Sequence, residues 1–199
     1  MNETSKIAIF KGTSSEIFLY YFLKTNNLTA EDVASINLRP EEMPIALLRG
    51  DIDAYAVWEP FAYNGANLLG NKSLVFSNNK IYPQTFNVVV NTDFALKNPN
   101  TLKKFLKALI KAEDFTRKNR EESIKLVAES LGMDYQVLNK VWNDYDFSIS
   151  LDRSLISNLE KDAKWALDSK IFQNTKIPDY RAMIYERPLK EIDPSAVNI

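Results

Sequence analysis

The 199-residue chain contains no cysteine and no histidine. Lack of cysteine rules out a disulfide, a thiol nucleophile, a thiolate zinc site and a lipid-anchoring cysteine within this sequence. Lack of histidine removes the commonest general base and the commonest metal ligand. Catalysis would have to rest on carboxylates, lysine, tyrosine or serine alone. Five glycines leave few flexible joints, and no low-complexity linker is present. No stretch approaches the roughly 18 apolar residues of a membrane span. The N-terminal MNETSK has no apolar signal-peptide core. The expectation is therefore a cytoplasmic protein, or a mature or trimmed segment of an exported one, without membrane insertion. Basic and acidic residues nearly balance, 25 against 26, and no basic stripe stands out, which argues against nucleic acid as a partner. What remains is 45% hydrophobic, enough for one ordinary domain or two small lobes.

Lys6 to Leu23 organises the chain. KIAIF alternates as a short strand should, Gly12 permits a sharp turn, and Phe18, Leu19, Phe22 and Leu23 have helical spacing. A strand, a glycine turn and a helix N-terminus place unpaired N–H groups where an anion or polar ligand can sit. Thr13, Ser14 and Ser15 could add hydroxyls. The same residues also fit a capping box, Thr13 with Glu16, which needs no ligand. Both readings stand at this point. A Walker loop is excluded, since no Gly-Lys-Ser/Thr follows.

Further along, strands are expected at Ala34–Leu38, Ile52–Trp58 and Ser73–Phe76, with a short helix start at Thr29 and helices over Glu41–Arg49 and Phe61–Leu69. This alternation predicts a parallel α/β sheet. Pro83–Val90 reads as one more strand. Four amphipathic helices follow, at Asn100–Lys118, Glu121–Leu131, Tyr135 to about Tyr145, and Ser154–Ser169, before a tail with Arg181–Arg187. The chain thus divides near Tyr82. Asp51 and Asp53 read as a turn and a cap rather than paired acids, Lys11 as a solvated cation, and Trp58 as either core or ligand platform.

KIAIFKGTSSE, LRGDIDAYAVWEP, PQTFNVVVNTD and the tail IYERPL occur in that order. Together they resemble the nitrate/sulfonate/taurine-type substrate-binding proteins of ABC importers, a group that also holds thiamine-pyrimidine binding proteins. The resemblance implies an α/β, periplasmic-binding-protein type II-like fold that is incomplete. Residues 1–82 would be the second lobe with its ligand-facing turn. Residues 83–199 would supply the return strand and mostly helical remainder of the first lobe, whose first half is missing. It implies ligand contacts from Gly12, Thr13, Ser14, Ser15, Trp58 and Glu59, with Tyr63 reaching the cleft from the following helix. No catalytic residue, metal or cofactor is implied. The expected function is a solute-binding component, or fragment of one, for a sulfonate, a nitrate-like anion or a thiamine-type pyrimidine.

The partners expected are the small ligand, an ABC permease and a second copy forming a homodimer. The location would be extracytoplasmic if a precursor carries a signal peptide. A metabolite-sensing module reusing the lobe is the alternative. A pyrimidine synthase of the related kind consumes a histidine, which this chain lacks.

Overall fold

The structure is a computed structural model and describes residues 4–76, 80–171 and 176–199. Two compact units emerge, one of the chain up to Gln84 with Gln136–Val141, the other of Thr85–Tyr135 and Trp142–Ile199.

The first unit is built on β1 (Lys6–Ile9), β2 (Ala34–Asn37) and β3 (Ala54–Tyr55). They pair in parallel in the order β2-β1-β3, with Lys6 opposite Ala34 and Ile7 opposite Ala54. Helix α1 (Ser14–Thr25) joins β1 to β2, and α2 (Met43–Arg49) joins β2 to β3. Period-2 alternation sends Ile7 and Ile9 to one face, where Leu19 and Leu23 of α1 pack. Ala8 and Phe10 face the other side, against Met43 of α2 and Ile52. Met43 is fully buried. A sheet covered on both faces needs such continuous apolar runs, and β1 supplies one. The chain leaves β1 in one direction towards β2 and returns across it to β3, so β1 and β3 flank the point where strand order reverses.

After β3, α3 (Phe61–Leu69) follows the cis Glu59–Pro60 bond. Gly65 of α3 sits so close to Tyr55 that an added Cβ would lie 1.6 Å from the phenol oxygen. The Tyr55 hydroxyl donates to the Phe61 carbonyl at 3.3 Å.

The expected strands at Ser73–Phe76 and Pro83–Val90 do not form. Both segments are irregular, and Leu74, Phe86 and Val89 are 85%, 81% and 90% exposed. Among the described residues no strand lies beside either one, and alternation without a partner ladder cannot hold an isolated strand. β3 is also shorter than the expected Ile52–Trp58.

The second unit is mostly helical: α4 (Thr92–Lys97), α5 (Pro99–Lys118), α6 (Arg120–Leu131), α8 (Arg153–Asp168) and α9 (Arg187–Ile192). The intervening α7 (Tyr135–Val141) falls mainly in the first unit. The long expected helices form within a residue or two of their apolar stripes. The third ends earlier, passing into a 3-10 turn at Trp142–Asp144. Helix α4 was not foreseen; Asn91 caps it through the Phe94 N–H. The tail passes through a 3-10 turn at Arg181–Met183 into α9, with Pro188 in its first turn, where proline is tolerated. Lys103 of α5 and Glu191 of α9 form an ion pair at 3.0 Å. A two-residue parallel pair, β4 (Leu151–Asp152) with β5 (Val197–Asn198), completes this unit. No helix of the described residues is long and apolar enough to cross a membrane.

Candidate functional site

The carboxyl ends of β1 and β3 carry the two turns singled out by sequence. Gly12 has φ +74°, a left-handed conformation that glycine adopts without strain. Its N–H donates to Glu16 Oε2 at 2.8 Å. Thr13 is the N-cap of α1, accepting weakly from the Ser15 N–H at 3.3 Å while its hydroxyl donates to the Phe10 carbonyl at 2.6 Å. The expected capping box is therefore shifted: Glu16 reaches back to Gly12 rather than to the N-cap itself. On the β2 side, the Lys11 N–H donates to Asn37 Oδ1 at 3.0 Å, which anchors the turn from the other strand.

The three hydroxyl residues separate into distinct roles. Ser15 is buried, and its hydroxyl accepts from the Phe10 N–H at 3.0 Å and donates to the Ala56 carbonyl at 2.6 Å. Thr13 Oγ1 is committed to the turn. Ser14 is half-buried at the first position of α1. The N–H groups of Thr13 and Ser14 belong to the first turn of α1, which has no intrahelical acceptors for them. They stand at the positive end of a 12-residue helix.

On the turn after β3, Trp58 is half-buried and meets Phe61 edge-on, with ring centroids 6.3 Å apart. Glu59 Oε2 accepts from the Tyr63 N–H at 2.9 Å, so this carboxylate caps α3. Burial, followed by the nearby Glu59 charge, raises the Tyr55 phenol above its ordinary pKa. Tyr55 and Gly65, which set how closely α3 approaches β3, were not among the expected site residues. A glycine inside a helical run is the signal that marks such a close approach. Asp53 pairs with the Lys6 backbone, its carboxylate accepting at 2.7 Å, and so serves the strand. All seven expected residues lie in the first unit, on the turns that follow β1 and β3 or in the first turn of the helices those turns lead into.

Among the described residues no group of three or more acidic side chains gathers as a metal cage. Two open surface hollows belong to the second unit, one lined by Lys118, Arg120 and Glu121, the other by Ile177, Asp179 and Met183. Neither includes an expected site residue.

Residues 2–132 match the NMT1-like family. The chain belongs to that family. A Bacillus subtilis relative named for binding aliphatic sulfonates is 33% identical over 137 residues, covering 68% of this chain and 41% of its own length. An Escherichia coli relative of the same name is 29% identical, covering 67% of this chain and again 41% of its own. The chain thus spans about two-fifths of the length of these curated relatives. Among solved structures, the periplasmic aliphatic sulphonate binding protein SsuA of Escherichia coli superposes with TM-score 0.78 at 25% identity, covering 92% of this chain and 62% of that one. The alkanesulfonate-binding SsuA of Xanthomonas axonopodis, bound to MOPS, shares the fold at TM-score 0.67 and 20% identity, covering 85% of this chain and 59% of that one. The resemblance read from KIAIFKGTSSE and LRGDIDAYAVWEP is thereby borne out. The fold is the α/β type of periplasmic binding proteins, present in part.

Proposed function

We propose that this chain is the ligand-gripping part of a solute-binding component of an ABC importer, with an aliphatic sulfonate as its ligand, and that it performs no chemistry. The observation that carries this reading is the first turn of α1. Its Thr13 and Ser14 N–H groups and the Ser14 hydroxyl offer several donors to one anionic head group, at the switch point of a parallel sheet. A sulfonate presents three acceptor oxygens on an apolar tail, and Trp58 across the crevice suits that tail. Glu16 and Glu59 already accept backbone N–H groups, which lessens their demand for a ligand with donors. The relatives named for binding aliphatic sulfonates support the same ligand class over nitrate or a pyrimidine.

On this reading Gly12 shapes the turn, Thr13 and Ser14 hold the head group, Ser15 positions the turn, and Trp58, Glu59 and Tyr63 form the opposing wall. Residues 1–82 would serve as the second lobe and 83–199 as part of the first. A permease would be the partner, and the location extracytoplasmic. The apolar exposure of Phe86 and Val89 supports a second copy as a further partner. A thermal-shift screen with ethanesulfonate, MOPS, nitrate, bicarbonate and a pyrimidine tests the function, because a ligand selective for the folded state raises the melting temperature. Stabilisation by sulfonates that is lost in Gly12→Val and Trp58→Ala, both checked for folding, is expected. Stabilisation by nitrate or the pyrimidine alone would replace the sulfonate; no stabilisation by any of them would refute binding by this chain.

A further inference from the structure

The parallel ladder between β1 and β3 stops abruptly where the strands lead into these two turns, and its stopping point has a specific cause. The last ladder bond runs from the Ala56 N–H to the Ala8 carbonyl at 2.9 Å. In an evenly spaced parallel ladder the next two would join the Phe10 N–H to the Ala56 carbonyl, and the Trp58 N–H to the Phe10 carbonyl. Side-chain hydroxyls occupy both places on Phe10. Its N–H goes to Ser15 Oγ at 3.0 Å, and its carbonyl accepts from Thr13 Oγ1 at 2.6 Å. The Ser15 hydroxyl in turn donates a hydrogen bond to the Ala56 carbonyl at 2.6 Å. The Ser15 hydroxyl therefore sits inside the ladder, between a donor and an acceptor that would otherwise meet.

This arrangement gives the Phe10 N–H, the Phe10 carbonyl and the Ala56 carbonyl a partner each without a direct strand-to-strand bond, so it costs little in hydrogen bonding at those groups. Its effect is geometric: the strands are spaced by a whole hydroxyl where they leave the sheet. Gly12–Ser14 follows on one side and Trp58–Pro60 on the other. Ser15 is 2% exposed, so solvent does not compete for these bonds.

We infer that Ser15 is a positioning residue: its buried hydroxyl is a ladder-inserted spacer that holds the ends of β1 and β3 apart and sets the width of the crevice in which Thr13 and Ser14 face Trp58. The inference rests on the binding role proposed above for that crevice, but its geometric half stands by itself. Ser15 touches the backbone of both strands and acts on a ligand only through them.

The test pairs crystal structures with calorimetric titration of ethanesulfonate and MOPS, on the wild-type chain, Ser15→Ala and Ser15→Thr. Loss of the hydroxyl should let the Phe10 N–H bond directly to the Ala56 carbonyl at about 2.9 Å. Affinity for both sulfonates should fall about tenfold or more, the scale of one misplaced hydrogen bond. Ser15→Thr keeps the hydroxyl and should restore the wild-type spacing and most of the affinity. Should Ser15→Ala fail to fold, Ser15→Cys replaces it, and its weaker, bulkier spacer should keep the strands apart while weakening the sulfonates less. An unchanged strand separation in Ser15→Ala, or a narrowed one with undiminished sulfonate affinity, would overturn the inference. If the wild-type chain binds neither sulfonate, the proposed function fails, and the Phe10–Ala56 distance alone still decides whether Ser15 is a spacer.

Discussion

In the first unit, β1 is covered by α1 on one face and α2 on the other, and its apolar residues are mostly buried. In the second, the 20-residue helix α5 carries a clear apolar stripe yet has no fully buried residue. Leu96 and Phe105 are exposed there, as are Phe86 and Val89 of the segment leading into it. The two regions have similar amphipathic patterning and different fates. The pattern specifies which side of an element must be covered. It does not specify that the cover lies in the same chain. Sequence-local logic therefore suffices for the βαβαβ unit, whose elements bury one another, and falls short for helices whose stripes remain open.

The largest expected effect sharpens this contrast. Met43→Ala removes a fully buried side chain from the first unit and should cost about 2–5 kcal/mol. Phe105→Ala, on an exposed position of α5, should cost well under that, about 1 kcal/mol or less. Urea unfolding of both variants measures the difference. Equal losses would mean that the α5 stripe is covered in solution and would break the comparison.

Next in size, Gly65→Ala drives a methyl into Tyr55 and should destabilise by about 1–3 kcal/mol through overpacking. Combination with Tyr55→Ala should recover part of that loss, and a double-mutant cycle reads the coupling. A third prediction concerns assembly. A second copy covering the open surface should give a concentration-dependent mass by light scattering, and Phe86→Lys with Val89→Lys should abolish it without lowering the melting temperature. A clean monomer at all micromolar concentrations would sink this.

Much of the fold could be read directly. KIAIF, the Gly12 turn and the stripes of α1, α5, α6 and α8 carry their own period, and Gly50 and Gly132 mark helix ends with left-handed backbone. The misses have physical causes. Pro83–Val90 alternates like a strand, but a strand exists only with a neighbour, and the neighbour is not encoded nearby. The β4–β5 pair is too short to leave any pattern. At the site, the turns were visible in sequence, but the division of labour within Thr13-Ser14-Ser15 was not. A serine after a glycine turn looks the same whether it faces a ligand or plugs a ladder; only the Ala56 carbonyl, distant in sequence, distinguishes them.

The smallest effects are in pH dependence. Asp152 caps α8 through the Ser154 N–H, and the Ser154 hydroxyl, first among its partners, holds its carboxyl below the ordinary value of 3.8. A lowered carboxyl pKa stabilises the fold above the unfolded value, and that contribution is lost as pH falls through the folded one. Asp152→Ala should cost about 1 kcal/mol at neutral pH, and Asp152→Asn should keep most of the cap while flattening the acid limb below about pH 4. Tyr55 has the opposite sign. Its pKa is raised from 10.0, so its contribution is intact below that value and lost as pH rises through the higher folded one. Tyr55→Phe should flatten the alkaline limb of a melting-temperature profile while leaving the acid limb unchanged.

The uncharged run between Lys80 and Asp93 has a practical consequence. Within it, TFNVVV combines high β-propensity with no charge and no proline, and its Phe86, Val88 and Val89 are solvent-exposed. Such a window is a template for cross-β stacking, and here no gatekeeper residue interrupts it. Wherever no second copy covers it, this window is a ready nucleus for fibril growth, and warm stocks of a variant that cannot pair through it should turn thioflavin-positive before any part of the first unit unfolds.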